Sequence, residues 1–332
     1  MRRGLILAVL LLLAMLALAA APFWGIEKLP FRALWARGDD YLQANILWKI
    51  RIPRVLMAFL AGGALATSGM AFQAMFRNPL ATPFTLGISS GAALGAATAI
   101  HLGLRFSYSG ISAVSLCAFA GALLVILLVY SLSRARRGFS TATMLLAGVA
   151  VSFFCSSLIL FVQYLSDPTG AFLMLRWVIG GLENVVDFED VLNLFPFVAA
   201  GCLIVLYLTH ELNLIATGEE LAVSRGVEVQ RTKLVLFLTT SLMVGAVVAL
   251  CGPIGFVGLM APHICRLLIG PDHRYLMPAT LLFGSAFLVL CDTVARTIMA
   301  PIELPVGIIT ALLGGPFFLW LLLGRGSQEG WV

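Results

Sequence analysis

Long apolar runs follow one another along almost the whole chain, and no other feature limits its fold as much. They cover about 5–24, 52–76, 84–104, 111–132, 140–165, 191–209, 233–251, 255–269, 276–299 and 306–323 of the 332 residues. A helix needs about 20 apolar residues to cross a bilayer core. It also bonds all of its own backbone, which the water-free interior demands. The runs predict an all-α polytopic membrane protein of about ten transmembrane helices, forming a single transmembrane domain over residues 1–332.

Composition excludes the main alternatives. The chain is 61% hydrophobic and 11% charged, with a mean hydropathy of +1.02. Soluble domains are about 45–50% apolar and about 25% charged, so a soluble enzyme, a disordered chain and a collagen-like repeat are ruled out. The net charge of +5 does not point to nucleic acid, because the basic residues stand singly between apolar runs without interleaved aromatics. Six cysteines lie in or beside apolar runs with no CxxC spacing and read as small buried hydrophobes. His101, His210, His263 and His273 fall on different elements and suggest no metal or haem site.

The first run has the basic start and small-residue ending of a secretory signal. Its length exceeds the 7–15 residues of a signal core, so it is read as an uncleaved first span. An even number of spans then places both termini in the cytoplasm. With that topology 12 basic residues lie inside and 9 outside, a modest agreement with the positive-inside rule. The cluster Arg134, Arg136 and Arg137 carries most of it, whereas Lys28, Arg32, Arg37, Lys49, Arg51 and Arg54 run against it. Against 6 acids inside and 10 outside, the two sides carry +6 and −1.

Two loops exceed a turn. Residues 25–49, outside, mix aromatics and charges and suit an amphipathic segment at the membrane interface. Residues 210–232, inside, are the most polar stretch. Glu219 and Glu220 after Gly218 mark a helix start, and Gly226 marks a stop. A helix–turn–helix on the cytoplasmic face is expected there.

Only three lysines occur, at 28, 49 and 233, and none sits in a Gly-Lys-Ser/Thr phosphate loop. Any ATP-driven work must therefore come from another polypeptide. Gly87, Gly91 and Gly95 recur every four residues and give one helix a flat face for close packing, as do the small residues at 61–69. Gly and Pro at 78–83, 252–255 and 261–262 break helices at membrane depth, as loop punctuation or beside a transport path. Asp292 and Arg296, four apart on one helix face, suit a mutual ion pair. No convergent catalytic set appears, so a membrane-embedded enzyme is disfavoured.

The segments 51–54 (RIPR), 69–81 (GMAFQAMFRNPLA), 86–91 (LGISSG), 145–149 (LLAGV), 255–263 (GFVGLMAPH), 303–307 (ELPVG) and 318–320 (FLW) run in order to near the C-terminus. Together they resemble the FecCD (BtuC-like) permeases, membrane subunits of ABC importers for iron-siderophores, haem and cobalamin. The resemblance implies a BtuC-like, type II importer permease fold in a bacterial inner membrane. It implies a homodimer with the path on its two-fold axis, two cytoplasmic ATPase subunits that bind ATP and Mg, and an extracytoplasmic substrate-binding protein. No cofactor is implied for this chain. By position, Gly218, Glu219, Glu220, Ala222, Arg225 and Gly226 match the segment that meets the ATPase, with Arg225 departing from the family's usual leucine. Arg51, Arg54 and Arg296 match positions that dock the binding protein's acidic residues, which exposed guanidiniums would pair with. Asn78, Leu80, Thr141 and Ala142 match the cytoplasmic gate. The rival reading is an ion-coupled secondary transporter using Asp292. Which chelate is carried stays open between an iron-siderophore, haem and cobalamin.

Overall fold

A computed structural model describes residues 2–25, 29–30, 41–108, 110–135, 141–183 and 187–324. Every predicted span contains a helix: α1 Arg2–Ala20, α3 Ile52–Phe76, α4 Ile88–His101, α5 Ala113–Ala135 and α6 Thr141–Leu165 in the first half. The second half supplies α8 Phe188–Tyr207, α11 Val229–Cys251, α12 Val257–Ile269, α13 His273–Thr297 and α14 Val306–Gly324. Seven helices are long and apolar enough to cross a membrane, while α4, α12 and the described part of α14 are shorter. Between the spans lie α2 Tyr41–Asn45, α7 Pro168–Ile179, α9 Thr209–Thr217 and α10 Glu219–Ser224, with a small hairpin of Ser107–Tyr108 and Ile111–Ser112.

Two details differ from expectation. From Tyr41 onward the 25–49 loop is helical and continues through a π-helical turn at Ile46–Arg51 into α3. Residues 26–28 and 31–40 of that loop (Lys28, Arg32 and Arg37 included) lie outside the described residues, as do Arg136, Arg137 and Arg325. Helix α7 was not anticipated, because its 12 residues are too few to span. Asp167 starts it as N-cap, accepting the Thr169 N–H at 3.2 Å, with Pro168 in the first position.

α3 is the axis of the bundle, buried along nearly its whole length. Helices α8, α11, α12 and α13 pack around it, and α1 lies along α13. Small residues make this enclosure feasible. A Cβ on Gly62 would fall on the carbonyl oxygen of Gly284 in α13, and one on Gly69 would fall on that of Gly258 in α12. Such backbone-to-backbone approach multiplies dispersion contacts where lipid offers little drive for association. The predicted glycine face of α4 packs elsewhere: Gly91 and Gly95 abut the Gly121 and Cys117 carbonyls of α5, while Gly87 faces Gly148 and Ser152 of α6. The outer faces of α6 and α8 show Phe153, Phe154, Leu160, Tyr164, Leu192 and Leu203 to the surroundings, the inverse of a soluble surface. All six cysteines are free, and four are buried.

The breaks in α11–α12 and after α7 satisfy one another. The Gly181 N–H donates to the Cys251 carbonyl at 2.9 Å, and the Gly307 N–H to the Gly180 carbonyl at 3.1 Å. Gly180, with φ of +77°, abuts the Pro253 carbonyl, and Gly307 abuts that of Ile179.

Gly62→Val should lower the thermal unfolding midpoint in detergent, since overpacking a close helix contact costs about 1–3 kcal/mol. Gly4→Ala, with open space at its Cα, should leave the midpoint unchanged in the same measurement.

Candidate functional site

Polar side chains concentrate at the two ends of the α3–α13 pair. At one end, Arg54 in the first turn of α3 directs Nε and Nη2 to Asp292 Oδ1 at 3.1 and 3.0 Å. Its Nη1 reaches Glu303 Oε2 at 2.6 Å. Arg296 adds the expected i,i+4 pair, Nε to Asp292 Oδ2 at 3.0 Å. Two guanidiniums therefore face two carboxylates, and Asp292, at 0% exposure, is charge-balanced on both oxygens.

The structure buries Arg51, Arg54 and Arg296, against the exposure expected of them. They are 8%, 7% and 3% exposed. Arg51 donates to the Pro22 carbonyl at 3.2 Å, and the other two are taken up by Asp292 and Glu303. Burial of a guanidinium is sustainable only with such partners, so in this chain the trio ties helix ends together. The same geometry removes the basis for an ion-coupling role of Asp292, which lies between two fixed cations and not in an open binding position. Nearby, a cavity of about 710 Å³ opens among α7, the hairpin and the start of α8, edged by Arg176, Glu183, Asp187, Glu189 and Asp190.

The opposite end carries the elbow formed by α9 and α10. Gly218, at φ of 151°, separates the two helices, and Glu219 begins the second as expected. Its stop is a Schellman cap: Val227 N–H to Ala222 carbonyl at 3.0 Å and Gly226 N–H to Val223 carbonyl at 2.9 Å. Gly226 takes φ of +85°, which a side chain would strain. Arg225 is exposed at the cap. Ile215, Ala222 and Val229 form a small core of their own beneath the elbow, while Leu221 and Val223 are 48% and 61% exposed.

Side chains that the sequence did not single out hold the elbow in place. Lys233, 2% exposed at the start of α11, pairs with Glu219 at 2.6 Å. Asn213 of α9 donates from Nδ2 to Asp272 Oδ1 at 2.9 Å and accepts the His273 N–H on Oδ1 at 2.9 Å. The His273 ring Nδ1 lies 2.7 Å from the same oxygen. Arg274 meets His210 at 3.0 Å, and Arg3 of α1 lies over Tyr275 and 3.9 Å from Asp272. Burial raises the Asp272 carboxyl, but the Asn213 and Arg274 hydrogen bonds with the Arg274 and Arg3 charges hold it below the usual carboxylate range. Arg266 of α12 reaches Gln73 of α3 at 3.1 Å at this same end.

The turn expected at the gate is well ordered by its own bonds. Asn78 Oδ1 accepts the Leu80 N–H at 2.9 Å, and Leu80 is exposed. The following turn, Pro83–Leu86, packs on α6 at Gly148, six residues beyond Ala142. Thr141 opens α6, and its side chain lies outside the described residues. Among those residues, no group of three or more His, Cys, Asp or Glu is placed to hold a metal ion.

Asp292→Ala should cost about 3–5 kcal/mol of stability by leaving two buried guanidiniums without their shared partner. Glu303→Ala, removing a part-exposed partner of one, should cost about 1 kcal/mol or less. Chemical denaturation of both variants in one detergent would give the order.

The FecCD transport family model matches residues 7–324. Over 323 residues the chain is 40% identical to the hemin transport system permease protein HmuU of Yersinia pestis, covering 96% of this chain and 95% of that protein. It is 41% identical over 326 residues to the vitamin B12 import system permease protein BtuC of Escherichia coli O127:H6, covering 97% and 95%. A solved metal-chelate type ABC transporter in an inward-facing conformation superimposes with a TM-score of 0.83 at 31% identity, covering 97% of this chain and 99% of the other. With its helical spans and this match over nearly its full length, the chain belongs to the FecCD transport family of membrane permeases.

Proposed function

We propose that the chain is the permease subunit of an ATP-driven ABC importer, moving a large metal chelate into the cytoplasm by alternating access. Two copies form the path on their two-fold axis, two ATPase subunits bind ATP and Mg on the cytoplasmic side, and a binding protein delivers cargo from outside. The elbow end is cytoplasmic, with both termini, and the Asp292 end faces outward.

One observation carries this reading: α10 presents Leu221 and Val223 outward between Glu220 and Arg225 on an elbow braced from below. An exposed apolar pair rimmed by charges suits a protein partner. The Lys233–Glu219 pair would pass that partner's movement to α11. Nucleotide-driven closure of the ATPases shifts the permease only because they bind its two states unequally. The gate is assigned to the turn of Asn78 and Leu80 with the start of α6 at Thr141 and Ala142. Relatives named for hemin and vitamin B12 support a large metal chelate as cargo, and ferric siderophores belong to the same class.

The test is vesicle uptake of haem, cobalamin and a ferric siderophore by permease reconstituted with its ATPase and binding protein. Uptake of one of them should require ATP and both partners. Accumulation against a gradient by the permease alone would overturn the reading. Leu221→Asp with Val223→Asp should abolish ATPase association, measured by co-purification, while the permease still folds.

A further inference from the structure

We propose that Asn213 couples the elbow to α13, making that helix a second output for ATPase movement beside α11; this rests on the importer reading above. The chain itself links the elbow only to α8, through Leu208, and to α11, through residues 225–228. Helix α13 begins about 60 residues later and receives force from α9 only across space.

Asn213 bridges that gap with both halves of its amide. Its Nδ2 grips the Asp272 carboxylate, which is itself the N-cap of α13 through the Arg274 N–H at 3.1 Å. Its Oδ1 takes the His273 N–H and faces the ring Nδ1. The amide therefore holds α13 by backbone and cap, so a shift of α9 moves the helix and not merely a side chain. His273 is buried, and its Nε2 has no partner among the described residues, so Asn213 supplies the ring's one polar contact there.

What α13 does with that force follows from its packing. It is locked along α3 by the Gly62–Gly284 contact and by Gly63 against Ser285. It ends in the Asp292 cluster, which joins α3 through Arg54 and the approach to α14 through Glu303. Nineteen residues separate His273 from Asp292, roughly 28 Å of helix. A displacement at the elbow is thereby carried as rigid movement of the α3–α13 pair to the opposite end of the bundle.

The experiment compares uptake per ATP hydrolysed in vesicles carrying the complete complex, with haem and cobalamin as probes. In Asn213→Leu, hydrolysis should stay within about twofold of wild type while uptake per ATP falls about fivefold or more, the usual lower range for coupling between sites. An unchanged ratio, or hydrolysis and uptake falling together, would mean a local staple and overturn the proposal. Should Asn213→Leu fail to assemble, Asn213→Asp decides: it keeps an oxygen to accept the His273 N–H but replaces the donor to Asp272 with a second carboxylate oxygen, so its ratio should also fall, and an unchanged ratio would overturn the proposal. Failure of the importer reading itself is seen separately, as ATP-independent uptake in the wild type.

Discussion

Lipid gives helices little reason to associate, so this bundle depends on how closely α3 lets its neighbours approach. Glycine contacts set both the distance and the register of its antiparallel partner α13. Arg54 stands eight residues before Gly62, and Asp292 stands eight after Gly284. Sliding α13 by one turn would part the buried Asp292 carboxylate from the buried Arg54 guanidinium of α3. The small residues and the ion cluster thus specify the same alignment, one by shape and the other by charge.

With the alignment set, polar chemistry is expelled to the two ends and the middle is left to hydroxyls and small side chains. One end is a closed, charge-neutral clasp. The other is a braced lever with an apolar tip. With this division, rigid elements can shift without exposing unpaired charge to lipid.

Features that depend on neighbours in the chain were legible in the sequence. A helix in each of the ten apolar runs follows from their composition, the elbow from Gly218, Glu219 and Gly226, and the Asp292–Arg296 pair from i,i+4 spacing. Partners far apart in the chain were not. Arg54 and Asp292 are 238 residues apart and Asn213 and His273 are 60 apart, and no local pattern announces either contact. The exposure of the arginines at 51, 54 and 296 was implied by family resemblance, and only the fold reveals the enclosed Asp292 carboxylate that takes up two of them. Helix α7 escaped notice because its signal is an Asp-Pro cap on a run too short to register as a span.

Gly180, Gly252 and Gly307 belong to three separate segments, yet each leaves room for the backbone of another. Their arrangement behaves as a single lock with three wards. Loosening any one segment withdraws a hydrogen-bond partner or a steric floor from the next. The broken helices near the 710 Å³ cavity are therefore not independent loops. A side chain added at any one of these glycines would displace backbone that lies far from it in the chain.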